Sequence, residues 1–144
     1  MTELLLIISL AGQRVAIPAA DVEAVVEIEG LTPIPRAPDH VAGLAALRSR
    51  VLTVVDCSAS IGLDRSSVDG PREAIVIETD GHPYALLVET VEDVIEFSGE
   101  IRPVRTSIAR GWRRVAKGMV QAGDDLLLLI ETQSLLTGPA AQAA

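Results

Sequence analysis

The chain repeats itself, and that doubling constrains its fold more than any other feature. Placing Val15-Ala16-Ile17 over Tyr84-Ala85-Leu86, an offset of 69, brings Val22 onto Val91, Glu23 onto Glu92, Val25 onto Val94, Glu27 onto Glu96 and Ile28 onto Phe97. Further along, Leu31 and Pro33 match Ile101 and Pro103, Val41-Ala42-Gly43 matches Ala116-Lys117-Gly118, and Val51 to Asp56 falls on Leu126 to Glu131. Turn positions coincide as well as apolar ones. In 144 residues, each copy has about 60–70, which is marginal for an independent core. Two copies must therefore share a buried seam.

The repeated unit is a β module. Its apolar segments are short and bounded by turn residues, the spacing of small all-β domains. Val, Ile, Leu and Ala supply most of the apolar content, and the β-branched share suits pleated strands. Strands are expected at 4–10, 14–17, 41–47, 51–56, 73–79, 82–88, 94–97, 117–122 and 125–130, with a turn and strand mixed over 21–28. Arg48-Ser49-Arg50, Asp80-Gly81 and Gly123-Asp124 read as hairpin tips, and Asp-Gly is a strong two-residue signal. Pro33, Pro35 and Pro38 stiffen one connection. Residues 64–72 read as a polar loop, 107–115 as a short helix and 131–136 as a closing helical turn.

Composition excludes several functions. Lys and Arg number 12 against 20 Asp and Glu, a net charge of −8, where a phosphate backbone would want a basic surface. No nucleic-acid partner is expected. Trp112, Tyr84 and Phe97 are the only aromatics, too few for a base-stacking platform. The aliphatic run Leu126 to Ile130 is far short of the ~20 residues that span a bilayer, so no membrane insertion is expected. Glu3 stands where a signal peptide carries basic residues, and the single Cys57 cannot form an internal disulfide. Both features point to the cytoplasm.

Catalytic and cofactor signals are weak. Val54-Val55-Asp56-Cys57-Ser58 lacks the small residue and glycine that cradle an aspartic-protease carboxylate, and Glu131 holds the equivalent place in the second copy. His40 and His82 lack metal-ligand spacing, and no phosphate-binding glycine run exists. No enzyme activity, metal or cofactor is expected.

The order of segments resembles the CheW-like domain of bacterial chemotaxis scaffolds. The stretches that carry it are Leu4 to Leu10, Arg14 to Pro18, Asp21 to Val26, Pro33-Ile34-Pro35, Val41 to Leu44, Ala46 to Ser49, Val51 to Asp56 and Ala85 to Val94. The resemblance implies an all-β fold of two small five-stranded SH3-like β-barrels packed as a pseudo-repeat, with short helices in the connections. One domain would cover 1–137. Its first barrel would lie mainly in 14–68 and its second in 82–136, with 3–10 and 73–79 shared or swapped between them and 138–144 a loose tail. It also implies a non-enzymatic adaptor joining a CheA-type histidine kinase regulatory domain to the cytoplasmic tip of a methyl-accepting chemoreceptor. The same fold in surface motility or gene regulation is the alternative; a small-ligand-binding barrel is disfavoured by uniformly aliphatic strand interiors. Leu47 and Arg48 match the middle of the family's Asn-Leu-Arg-Gly turn, with Ala46 and Ser49 in place of its ends. Serine where glycine is usual would strain a positive φ.

Two sets of candidate contact residues follow. Arg48 offers five donors in a fixed fork to a partner, or clamps the two barrels together, or is a solvated turn residue. Leu47, Val22, Ala24, Val25, Ile34 and Leu44 lie in segments resembling the family's receptor-facing groove, against core burial as the alternative. Trp112, expected to anchor to the core or else to serve as an interface hot spot, lies within a basic run of Arg102, Arg105, Arg110, Arg113, Arg114 and Lys117. The run is a second partner surface, or an exposed helix balancing the acidic stretch from Glu89 to Glu100.

Overall fold

The computed structural model describes residues 2–64, 71–104 and 108–138. Ten strands run through the described residues: β1 (Glu3–Leu10), β2 (Gln13–Pro18), β3 (Ala24–Ile28), β4 (Val41–Leu47), β5 (Arg50–Asp56), β6 (Arg72–Thr79), β7 (His82–Leu87), β8 (Thr90–Phe97), β9 (Ala116–Ala122) and β10 (Asp125–Ile130). Helices α1 (Cys57–Ser60), α2 (Arg110–Val115) and α3 (Thr132–Thr137) and a 3-10 turn over Ala19–Asp21 fill connections. Most of the expected 64–72 loop, the start of the expected 107–115 helix and the tail beyond Gly138 lie outside the described residues.

Two five-stranded sheets form, in the orders β8-β1-β2-β10-β9 and β3-β6-β7-β5-β4. The lobes around them are called A and B respectively. Strand for strand they are the same sheet, and each copy of the repeat lends its first two strands to the other lobe. The sequence reading moved only 3–10 and 73–79. The pairing moves whole hairpins, so 13–18 joins β8–β10 and 82–87 joins β3–β5. The reason is local. Ala11-Gly12 (φ 51 and 79) and Asp80-Gly81 (φ 52 and 80) are two-residue turns with positive φ at both positions, which lock each second strand to its first.

This exchange places β1, β2, β6 and β7 inside their sheets with both faces covered, which is why they read as unbroken apolar runs. Successive side chains point to opposite faces. Leu6, Ile8 and Leu10 enter the seam between lobes with Ile75, Ile77 and Leu86, whereas Leu5 and Ile7 fill lobe A and Ala74 and Val76 fill lobe B. The seam cluster also takes in Cys57, Trp112, Ile130 and Leu135.

The chain end is tied down across the lobes. His40 is buried, its Nε2 donates to the Leu136 carbonyl at 3.0 Å, and Gly138 packs so closely on the ring that a Cβ there would lie 2.3 Å from Nδ1. Cys57 is fully buried, and burial first, then the neighbouring Asp56 carboxylate, pushes its thiol well above the usual range. A thiol so held is a poor nucleophile. Native protein should leave Cys57 unlabelled by a maleimide at neutral pH, with labelling appearing only at the denaturant concentration of global unfolding. Rapid native labelling would contradict this burial.

Candidate functional site

Of the expected contact residues, Val22 lines one surface depression and Leu44 and Leu47 line another. The first is a cleft of about 500 Å3 where the lobes meet. Val22 and Ile77 give it an apolar floor, and Asp21, Glu23, Glu78 and Glu131 surround a single Lys117. Arg50 straddles Glu23 and Glu78 at 2.5 and 3.6 Å, so part of this acidity is matched within the protein. Lobe A repeats the device from a different position, with Arg14 between Glu92 (3.1 Å) and Asp125 (2.8 Å). Exposed pairs of this kind each contribute up to about 1 kcal/mol.

The second is a groove of about 580 Å3 at the mouth of lobe B, between the end of β3 and β4. Leu44 and Leu47 line it, as expected from the sequence, and so do Glu27, Ile28, Glu29 and Leu31, which the sequence reading did not single out. The backbones of Thr32 and Leu44 exchange two 2.9 Å hydrogen bonds, which brings the loop from Glu29 onward alongside β4. That register joins the two walls. The signal that would have found the groove was the repeat itself, which sets Ile28 against the bulkier Phe97.

The other members of the first set are dispersed. Ala24 and Val25 are exposed on the edge strand β3, paired with Val76 and Ile75 of β6, and Ile34 is half-buried in the proline-rich connection. Arg48 is exposed at the β4–β5 tip. Among the described residues it makes no hydrogen bond or ion pair, so it is not a clamp between lobes within this chain. Leu47 pairs with Arg50, making the loop two residues instead of three. The positive φ expected at Ser49 sits one residue earlier, at Arg48 (φ 58), and Gly123 occupies the same place in the β9–β10 turn with φ 61. In a two-residue turn of this kind the first central residue is the one turned over. Serine at 49 is therefore unstrained, and the cost falls on the arginine. Arg48→Gly should keep or raise the melting temperature, by up to about 1 kcal/mol of stability, while deleting the guanidinium. A clear drop on thermal melting would mean that the side chain supports the fold.

The basic run divides in the same way. Arg102, Arg110 and Arg113 are exposed, Arg102 pairing with Met119 through its backbone. Arg105 lies outside the described residues. Trp112 is buried in the seam cluster. Arg114 is turned inward: Nη1 donates to the Ser134 carbonyl (2.7 Å) and Nη2 to the Ser60 carbonyl (2.6 Å). Partial burial lowers its pKa from the usual arginine value. Ser60 Oγ in turn donates to the Leu135 carbonyl (2.6 Å), and with His40 on Leu136 the last carbonyls of α3 are satisfied by side chains from three other segments.

Asp56 accepts from the Ser58 and Ala59 amides at the start of α1, and Glu131 accepts from Ser134 Oγ beside α3, so each carboxylate serves its own helix. Among the described residues no three His, Cys, Asp or Glu side chains converge as metal ligands, and no helix is long and apolar enough to cross a membrane.

Two small five-stranded β lobes on one shared core, with a groove and a cleft at their surface, define a double-lobed all-β fold. The CheW-like domain family model matches residues 4–140, and the chain belongs to that family. The chemotaxis protein CheW of Rhizobium meliloti (strain 1021) is 30% identical over 128 residues, covering 86% of this chain and 83% of that one. The chemotaxis protein CheW of Thermotoga maritima is 23% identical over 124 residues, covering 86% and 81%. Among solved structures, the scaffolding protein TtCheW from Thermoanaerobacter tengcongensis superposes with a TM-score of 0.76 at 26% identity, covering 91% of this chain and 90% of that one.

Proposed function

We propose that this chain is a non-enzymatic cytoplasmic coupling protein that holds a CheA-type histidine kinase, through its regulatory domain, against the cytoplasmic tip of a chemoreceptor. The observation that supports the reading is a groove and a separate cleft on two lobes that share one buried seam. A shared core fixes the angle between whatever occupies the groove and whatever occupies the cleft. Family membership over residues 4–140 supports this class of partner. Each contact is modest, on the order of 800 Å2 per partner or less, so firm assembly comes from many linked contacts.

Capture of the kinase and the receptor encoded in the same genome tests this directly. Both should co-purify with the wild-type chain, and retention of neither would refute the proposal. Arg48→Gly should weaken one of the two complexes about tenfold, equivalent to about 1.4 kcal/mol, with the melting temperature unchanged or higher.

A further inference from the structure

By chain order the β1–β2 hairpin goes with β3–β5 of lobe B, yet it fills the middle of the lobe A sheet, between β8 and β10. Residues 90–130 supply the rest of that sheet. The hairpin is deeply held: Leu5, Ile7, Ile8 and Leu10 of β1 and Val15, Ala16 and Ile17 of β2 are all buried. Its connection to β3 is slight by comparison. Ala19–Asp21 make one 3-10 turn with no side-chain cap and no buried residue, closed by the Val22 amide on the Ala19 carbonyl at 3.0 Å. Val22 adds one half-buried side chain against the seam cluster. The residues on either side are already extended, Pro18 at φ −57 and ψ 124 and Val22 at φ −97 and ψ 120. Straightening the turn between them is enough to swing the hairpin away from its own lobe A.

Lobe A recognises the hairpin by strand register and apolar faces, and neither depends on which copy of the chain supplies it. We propose that the β1–β2 hairpin exchanges between two copies of this chain, each hairpin completing the lobe A of the other. All of its ladders and buried contacts re-form in the dimer, so the tether sets the balance. The closed monomer prevails until protein concentration approaches the effective concentration a short tether supplies, on the order of 1 mM. Interconversion is slow, because withdrawing the hairpin opens lobe A and the seam together. The exchange also acts on the surface. Ala20, Asp21 and Val22 wall the cleft between lobes, whereas the groove beside β4 shares no residue with this connection. Straightening it dismantles the cleft and leaves the groove. The inference holds whatever occupies either one.

Leu4 of β1 stands across from Glu96 of β8, both exposed, at a spacing a disulfide spans. Chains carrying Leu4→Cys and chains carrying Glu96→Cys are unfolded together, refolded under reductant at about 1 mM and then oxidised. The swapped dimer puts one cysteine of each chain together and should give a covalent heterodimer on a non-reducing gel. Native Cys57 is buried and stays out of the reaction. The two chains refolded separately and then mixed should give no link. Deleting Ala19 and Ala20 leaves too little chain to turn back, and should move most of the protein into dimer by light scattering. Monomer alone at every concentration, a dimer without the link, or equal linkage of separately refolded chains would each overturn the proposal. A folded, monomeric deletion variant would do the same. Should the deletion variant not fold, the disulfide result decides alone.

Discussion

Replacing Gly111 with alanine should cost the protein about 3 kcal/mol, roughly 10 °C in melting temperature for a chain of this size. Gly111 is the second residue of α2, and a Cβ built there falls 1.7 Å from the Ile61 carbonyl oxygen, with the Ile61 carbonyl carbon at 2.8 Å. The obstacle is backbone on the obstacle's side as well as on the glycine's, so no rotamer change relieves it. Arg114 aggravates the problem by holding the Ser60 carbonyl and α3 at fixed distance from the same helix. Glycine is otherwise a poor helix residue, and alanine in an open helix would gain about 1 kcal/mol. The sign of the effect therefore separates the two accounts. Thermal unfolding of Gly111→Ala followed by circular dichroism decides: a melting temperature at or above wild type would show that α2 does not lie on Ile61.

The second large effect concerns the seam. Ile8 is fully buried and sits among residues drawn from both lobes. Ile8→Ala removes a side chain whose loss from a packed core costs about 2–5 kcal/mol. Because the seam is common to both sheets, the loss should appear as one lowered transition and not as the melting of lobe A alone. Trp112, the single tryptophan, is buried in that same cluster and reports on it by fluorescence. Its denaturant curve should coincide with far-ultraviolet circular dichroism in wild type and variant alike. Two separated transitions in the variant would show that each lobe holds itself together, and the shared-core argument would fail.

The same residues show how far the sequence could be read. Short apolar segments bounded by turn residues identified most of the strands, and the Asp80-Gly81 dipeptide placed a hairpin turn, because these signals are local; the offset of 69 holds in the structure, where β6 and β7 lie that far from β1 and β2. Trp112 reads from the sequence as the anchor of the basic run to the core, and it is buried in the seam cluster. Arg114 is a different matter: it sits in a run that reads as a solvated face, and what turns it inward is the position of α1 and α3, one more than 50 residues before it and the other about 20 after. The groove residues Glu27 to Leu31 were visible as half of a repeat, but not as half of a wall.

By itself, then, the amino-acid order determined a doubled, strand-built chain with apolar runs too continuous for sheets exposed on either side. Periodicity and turn chemistry act over a few residues, so they survive in one dimension. That whole hairpins cross between lobes, where the positive φ falls in the β4–β5 turn, and that Arg114 turns onto α1 and α3 were decided only in three dimensions. Each of these depends on volumes and backbone approaches between segments far apart in the chain, and no local preference records them.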